Sequence, residues 1–220
     1  MNLQKLFELQ RQLDAHIEKE HPRQDGEDRL AKKILALMVE LGELANEARF
    51  FKYWSHDQAP RTKIEYICPT CNGTGDENYD SYIDDLEGGY THEVINCEDC
   101  GGTGTLGYKN PLLEEFADAL HFILSIGLEL EITAIEIDSD YTHEDPSATF
   151  VELFGDTWEL FNFREIHDKQ SKFIQISIYE RMFNRFVGIG EKHLGFTWEQ
   201  IEAAYMEKNT ENHRRQDSNY

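Results

Sequence analysis

An all-α helical bundle interrupted by one small cysteine-built insertion is the fold this sequence predicts, on three observations. Apolar residues recur at three- and four-residue spacing through most of the chain; few stretches outside its middle alternate as strands do; and the four cysteines all fall in two CxxC pairs. A length of 220 residues is enough to bury a substantial core and suits one domain carrying an insertion.

From Leu3 to about Glu20, Leu3, Leu6, Phe7, Leu9, Leu13 and Ile17 repeat at helical spacing, and a polar stretch with Pro22 and Gly26 ends the run. A longer helix is predicted from about Asp28 to Lys52, with Leu30, Ile34, Leu37, Met38, Leu41, Leu44 and Ala48 on one side. Residues 111 to 130 repeat that design through Leu112, Phe116, Ala119, Leu120, Ile123 and Ile126. Between the two lies a different text, CPTCNGTG, then an acidic Tyr-rich stretch, then CEDCGGTGTLGYK. After a connection around Asp138 to Pro146, helical periodicity returns in FVELFGDTWELFNF, in FIQISIYERMFNRFVGIGEKHLG and in a last helix from about Thr197, with Gly188, Gly190 and Gly195 marking segment ends. The chain thus divides into a first helical half, residues 1–66, an insertion, 67–109, and a second helical half, 110–220.

Lys and Arg number 21 against 43 Asp and Glu, a formal net charge of −22. Such a balance argues against nucleic-acid polymers as partners, which require a cationic footprint. No run reaches the length of a membrane span, and the N-terminal sequence lacks a secretory pattern, so a cytoplasmic protein is expected.

Four acids stand out against that background. Glu40 and Glu43 are three residues apart on the second helix, Glu115 and Asp118 on the third, each pair beside the apolar stripe. Stepping 100° per residue keeps Glu43 and Glu47 within about 60° of Glu40. One such pair is more often a solvated face than a ligand set. Two pairs turned toward the protein repel one another unless a cation lies between them, and hard oxygen ligands suit magnesium, which also bridges phosphates.

ELGELANEARFFKYWS, EEFADALHFILSIGLEL and YMEKNTENHRRQDSNY together resemble the all-α dimeric dUTPases of the MazG-like nucleoside triphosphate pyrophosphatase superfamily. The paired acids alone mark the superfamily; the ending, a Lys-x3-Asn-x2-Arg-x4-Tyr pattern, points to the dUTPase branch. The resemblance implies a helical bundle of the all-α NTP pyrophosphatase type, a homodimer, and hydrolysis of dUTP, with dUDP as a second substrate, to dUMP. It implies that Glu40, Glu43, Glu115 and Asp118 bind two or more magnesium ions, with Glu47 a weaker candidate; a carboxylate not fully engaged by metal can take a proton from water, and Glu43 is the candidate for that base. It assigns Lys208 and Arg215 to phosphates and Asn212 and Tyr220 to the sugar or base. Trp54 becomes a uracil neighbour, against the alternative of an ordinary core or interface Trp, and Lys52 a further phosphate ligand. Gln10 and Asp14, four residues apart on one face, are both candidates for contact with the base; the resemblance favours Gln10 as the reader of the pyrimidine edge, since an amide both donates and accepts. His121 and Phe122 border the sugar; otherwise they are core.

The insertion contains two CxxCxGxG units with 25 residues between the inner cysteines. Cys68, Cys71, Cys97 and Cys100 can close tetrahedrally on one structural zinc, with no position open for chemistry. The units resemble the zinc knuckles of DnaJ-type chaperones, over the insertion alone, and the compact dUTPase pattern has only a short connection here. Zinc would rigidify the long connection; the rival role is docking of a protein partner, and the acidic Tyr-rich middle suits exposure. Two other functions compete with dUTP hydrolysis: pyrophosphohydrolysis of dCTP or a modified deoxynucleotide, and a non-catalytic zinc-bearing module that senses nucleotides or docks a partner.

Overall fold

The computed structural model describes residues 2–79, 93–137, 141–165 and 169–218. Tyr220 and most of the acidic Tyr-rich stretch lie outside them. The chain divides into two compact units, Met1–Pro60 with Leu112–Tyr220, and Arg61–Pro111. Among the described residues the first unit is helical and the second holds the one sheet, an all-α bundle with a small cysteine-rich insertion, as the periodicity predicts.

The helices are α1 (Leu3–Glu20), α2 (Arg29–Ala48), α3 (Pro111–Glu129), α4 (Pro146–Asn162), α5 (Lys169–Gly188) and α6 (Trp198–Asp217). Their starts are written in the sequence. Asn2, Asp28 and Asp145 each turn a side-chain oxygen onto a backbone N–H of the first turn, and Thr197 with Gln200 forms a reciprocal capping box. α2 stops four residues before the predicted Lys52. Arg49 adopts a left-handed conformation at φ 65°, and its buried guanidinium donates to the Asp57 carbonyl at 2.6 and 3.0 Å, which turns the chain out of the helix.

α3 is the centre of the bundle, and its apolar arc extends nearly all round: eleven of its residues are buried. Phe116 stacks on Phe186 of α5 with centroids 4.2 Å apart, Tyr179 of α5 donates to the Ile123 carbonyl at 2.8 Å, and His121 stacks on Tyr205 of α6 at 4.0 Å. α1 runs along α6, α2 against α4, and α4 against α5. The α4–α5 seam is pinned by Asp156, a buried carboxylate that accepts from Arg185 and, at 2.7 Å, from Arg181.

Gly190 does not end a helix as predicted. It lies inside a π-helical turn, Ile189–His193, that extends α5, and a methyl there would stand 2.6 Å from the Phe116 ring. The glycine is needed because a ring presses on the backbone. Gly127 of α3 is tighter still, since its added Cβ would meet the Tyr179 hydroxyl at 2.2 Å and the Ile132 carbonyl at 2.9 Å.

In the second unit β1 (Ile64–Ile67) pairs antiparallel with β2 (Thr105–Lys109), with a register break between Glu65 and Ile67. The two knuckles repeat each other's bonds. Cys68 N donates to Gly104 O at 3.0 Å and Cys97 N to Gly75 O at 2.9 Å; Thr74 and Thr103 hydroxyls donate to Cys71 O and Cys100 O, both at 2.7 Å. Gly75 and Gly104, at φ 75° and 77°, each bring backbone against the opposite knuckle so closely that a Cβ would lie 2.3 Å from a carbonyl oxygen.

Gly127→Ala should therefore lower the unfolding midpoint in denaturant by an amount corresponding to about 1–3 kcal/mol, as overpacking does, with the m-value unchanged. An unshifted midpoint would show that the α3–α5 contact yields freely.

Candidate active site

A cleft of about 1060 Å³ opens in the helical unit. Gln10 and Asp14 of α1, Glu40 of α2, Asp118, His121 and Phe122 of α3, and Lys208, Asn212 and Arg215 of α6 all line it. Nine predicted site residues drawn from four helices thus face one space.

At one end the acids converge. One oxygen each from Glu40, Glu43 and Glu115 lies within 4.8 Å of the others, so α2 and α3 bring three of the four paired acids together. Burial, then repulsion from Asp118 and Glu43, pushes the Glu40 carboxyl up to about 7; burial, Asp118, Glu43 and Glu40 do the same to Glu115. Such crowding fits a divalent cation, which takes oxygen ligands and removes the repulsion. Asp118 is held differently. Its Oδ2 accepts from Lys208 Nζ at 2.6 Å, and burial still pushes its carboxyl up despite that cation. Lys208 also faces Glu114 at 3.6 Å, so α6 places a positive charge beside the acidic cluster. Glu47 stands on the same helix but outside the converging trio.

Along the α1 wall the polar groups are densely bonded. Gln10 is buried; its Nε2 donates to Asp14 Oδ1 at 2.8 Å and its Oε1 accepts from the Tyr205 hydroxyl at 2.9 Å. Asp14 Oδ2 accepts from Ser125 Oγ at 2.6 Å and Lys33 Nζ at 3.3 Å. His121 Nδ1 donates to Ala117 O at 2.8 Å, burial pushes the ring down to about 4, and Nε2 has no hydrogen-bond partner among the described residues. A neutral imidazole with one free nitrogen is thus left on the cleft wall. At the far end Lys33 and Arg23 both pair with Glu129, at 3.1 and 2.9 Å.

Some predicted residues stand elsewhere. Trp54 is 65 % exposed, packed edge-on against Phe51 and Tyr53, and does not line the cleft, so it is not a core Trp. Lys52 donates to Asn46 and likewise lies away from the cleft lining. Arg215 does line the cleft, and it and Arg214 both pair with Glu211, at 3.2 and 2.7 Å. Sequence reading missed Lys33, Ser125, Tyr205 and Asn209. Asn209 is buried, and its Nδ2 has no hydrogen-bond partner among the described residues. The signal was available in part: Ser125 follows His121 by four on the α3 stripe, and Asn209 follows Tyr205 by four on α6.

The family model for dUTPase matches residues 2–67 and 105–220. The chain belongs to the dUTPase family. The match takes in all six helices and passes over residues 68–104, the segment that contains both cysteine knuckles. Among curated proteins none matches the chain. Family membership makes the chain a hydrolase and its substrate a nucleotide.

In the second unit the four thiols of this dUTPase-family chain lie within 4.8 Å of one another, three of them buried. Cys68 and Cys97 sulfurs are 3.8 Å apart, Cys71 and Cys100 sulfurs 3.7 Å. Burial opposes ionisation of Cys100, but the Gly104 N–H, at 3.3 Å, with Cys71, the Gly102 N–H and Cys97, outweighs it and holds the thiol at about 6. The donor set fits one thiophilic metal ion.

Raised carboxyls at Glu40 and Glu115 bind protons more tightly in the folded than in the unfolded chain. Their contribution to stability is present below the ordinary carboxylate range and is lost as pH rises through about 7. A divalent cation should therefore raise the melting temperature more at about pH 8 than at about pH 5.5, where protons compete for the same oxygens. Equal shifts at both pH values would place the ion away from this cluster.

Proposed function

We propose that the chain is a magnesium-dependent dUTP diphosphatase of the MazG-like superfamily, converting dUTP and water to dUMP and diphosphate, with dUDP as a second substrate. The observation that carries this reading is the convergence of Glu40, Glu43 and Glu115 at the end of a cleft that Lys208, Arg215 and the Gln10 amide also line. Glu40, Glu43, Glu115 and Asp118 would hold magnesium, which when bound neutralises phosphate oxygens that gain charge in the transition state and acidifies water. Glu43, the exposed member of the trio, is open to a water molecule and takes its proton as that oxygen attacks the α-phosphorus. The bond from phosphorus to the bridging oxygen breaks, and diphosphate leaves.

Lys208 and Arg215 bind the phosphates, and Asn212 contacts the nucleoside. The neutral His121 offers Nε2 to the sugar beside Phe122. Two copies form the working unit: α2 and α4, which pack together, expose Leu35, Val39, Val151 and Trp158, an apolar face suited to a second chain and testable by light scattering. The protein acts in the cytoplasm on a small nucleotide.

Diphosphate release from dUTP, dCTP, dTTP, UTP and dATP, with and without magnesium, tests the assignment. Magnesium-dependent preference for dUTP is expected, and Glu43→Gln should lower its turnover at least about a hundredfold, as loss of a general base does. Full activity in that variant would remove Glu43 from the chemistry.

The four cysteines hold one structural zinc. Cys68→Ser with Cys97→Ser should abolish zinc binding, measured by metal analysis, and lower the melting temperature of the intact chain more than it changes kcat. An unchanged melting temperature would contradict a structural role.

A further inference from the structure

The Gln10 amide is clamped at both ends. Asp14 Oδ1, an acceptor, lies 2.8 Å from Nε2, and the Tyr205 hydroxyl lies 2.9 Å from Oε1. A carboxylate can only accept, so the NH2 group must face it. Asp14 is itself fixed from behind, since Ser125 Oγ and Lys33 Nζ both donate to its Oδ2. Its three hydrogen bonds leave it little to offer a base, whereas Gln10 lines the cleft with one Nε2 hydrogen and one Oε1 lone pair uncommitted among the described residues. We infer that Asp14 is a positioning residue that fixes which way the Gln10 amide faces, and through it which pyrimidine the cleft accepts.

The chemistry of the bases gives that orientation its force. Uracil presents a carbonyl at C4 and an N–H at N3, an acceptor beside a donor; cytosine presents an amine and a bare nitrogen, the reverse order. An amide free to turn over satisfies either. One held in a single orientation satisfies one order and sets donor against donor, acceptor against acceptor, for the other, a mismatch that costs far more than a missing methyl group. With the proposed dUTPase reading, on which this inference rests, the accepted order is that of uracil.

Asp14→Asn tests it without a change of shape. Lys33 and Ser125 still require an acceptor, so the substituted side chain turns its carbonyl to them and its NH2 to Gln10. The Gln10 amide then turns Oε1 toward that NH2, and the Tyr205 hydroxyl, which can donate or accept, follows it. The preference for dUTP over dCTP in kcat/KM should fall by about tenfold or more, carried by KM. The ratio of Kd values for dUMP and dCMP, measured by calorimetry without turnover, should fall with it. Tyr205→Phe, which frees the other end of the amide, should shift both ratios the same way by less. In a Gln10→Ala background Asp14→Asn should shift neither.

An unchanged preference in Asp14→Asn that folds normally by circular dichroism would overturn the inference, as would equal losses for the two nucleotides. Should that variant not fold, an unchanged ratio in Tyr205→Phe overturns it. The two readings fail separately. Wild-type preference for a base other than uracil sinks the dUTPase reading and the orientation argument with it, whereas a uracil preference that survives Asp14→Asn sinks only the role of Asp14.

Discussion

Like charges brought together in a half-buried place are the constraint around which the helical unit is built. Glu40, Glu43 and Glu115 converge, with Asp118 close enough to raise the first and the last, and nothing in the apolar interior of α2 and α3 relieves them. The arrangement persists because α3 is fixed on nearly every side, by Phe186 and Tyr179 of α5 and by Tyr205 of α6. Packing energy from those contacts holds the carboxylates where electrostatics alone would disperse them. A cation set against them, Lys208, comes from α6, a helix packed along α1 and stacked through Tyr205 on α3.

The same helix contributes to the wall of the cleft along several turns. Tyr205 faces Gln10, Lys208 faces Asp118, and Asn212 and Arg215 continue the wall, one turn at a time. Spacing of three and four along α6 converts a linear sequence into a row of groups along one wall of the cleft. Fold and chemistry therefore share residues: Tyr205 is core by burial and a clamp by its hydroxyl.

Much of this is legible in the sequence. Helical period located six helices, the acid spacing placed Glu40, Glu43 and Glu115 on facing stripes, and CxxC repetition gathered the four thiols. The end of α2 was not legible, because Arg49 leaves the helix to reach a carbonyl eight residues on, and a charged residue in a periodic run gives no sign of that. Gly190 was misread as a terminus for a related reason: what requires it is a ring from α3, 74 positions away. The polar partners of Asp14 were hidden likewise. Ser125 and Lys33 carry no distinctive spacing to it, and only the packing of α1 and α2 on α3 makes them neighbours.

One seam sets a schedule for the chain as it is made. The Gln10 amide and the Tyr205 hydroxyl that holds it are 195 positions apart, and α1 has its principal neighbour in α6. A ribosome synthesising this protein releases α1 first and then leaves it without that partner through all the intervening elements, so its apolar side must wait, solvated or held by something else, until α6 emerges. The cleft is in this sense complete only once α6 has been made. A truncated chain lacking α6 would expose Leu6, Phe7 and Leu13, residues otherwise almost wholly hidden, and so would present itself to the cell's quality-control machinery as unfinished.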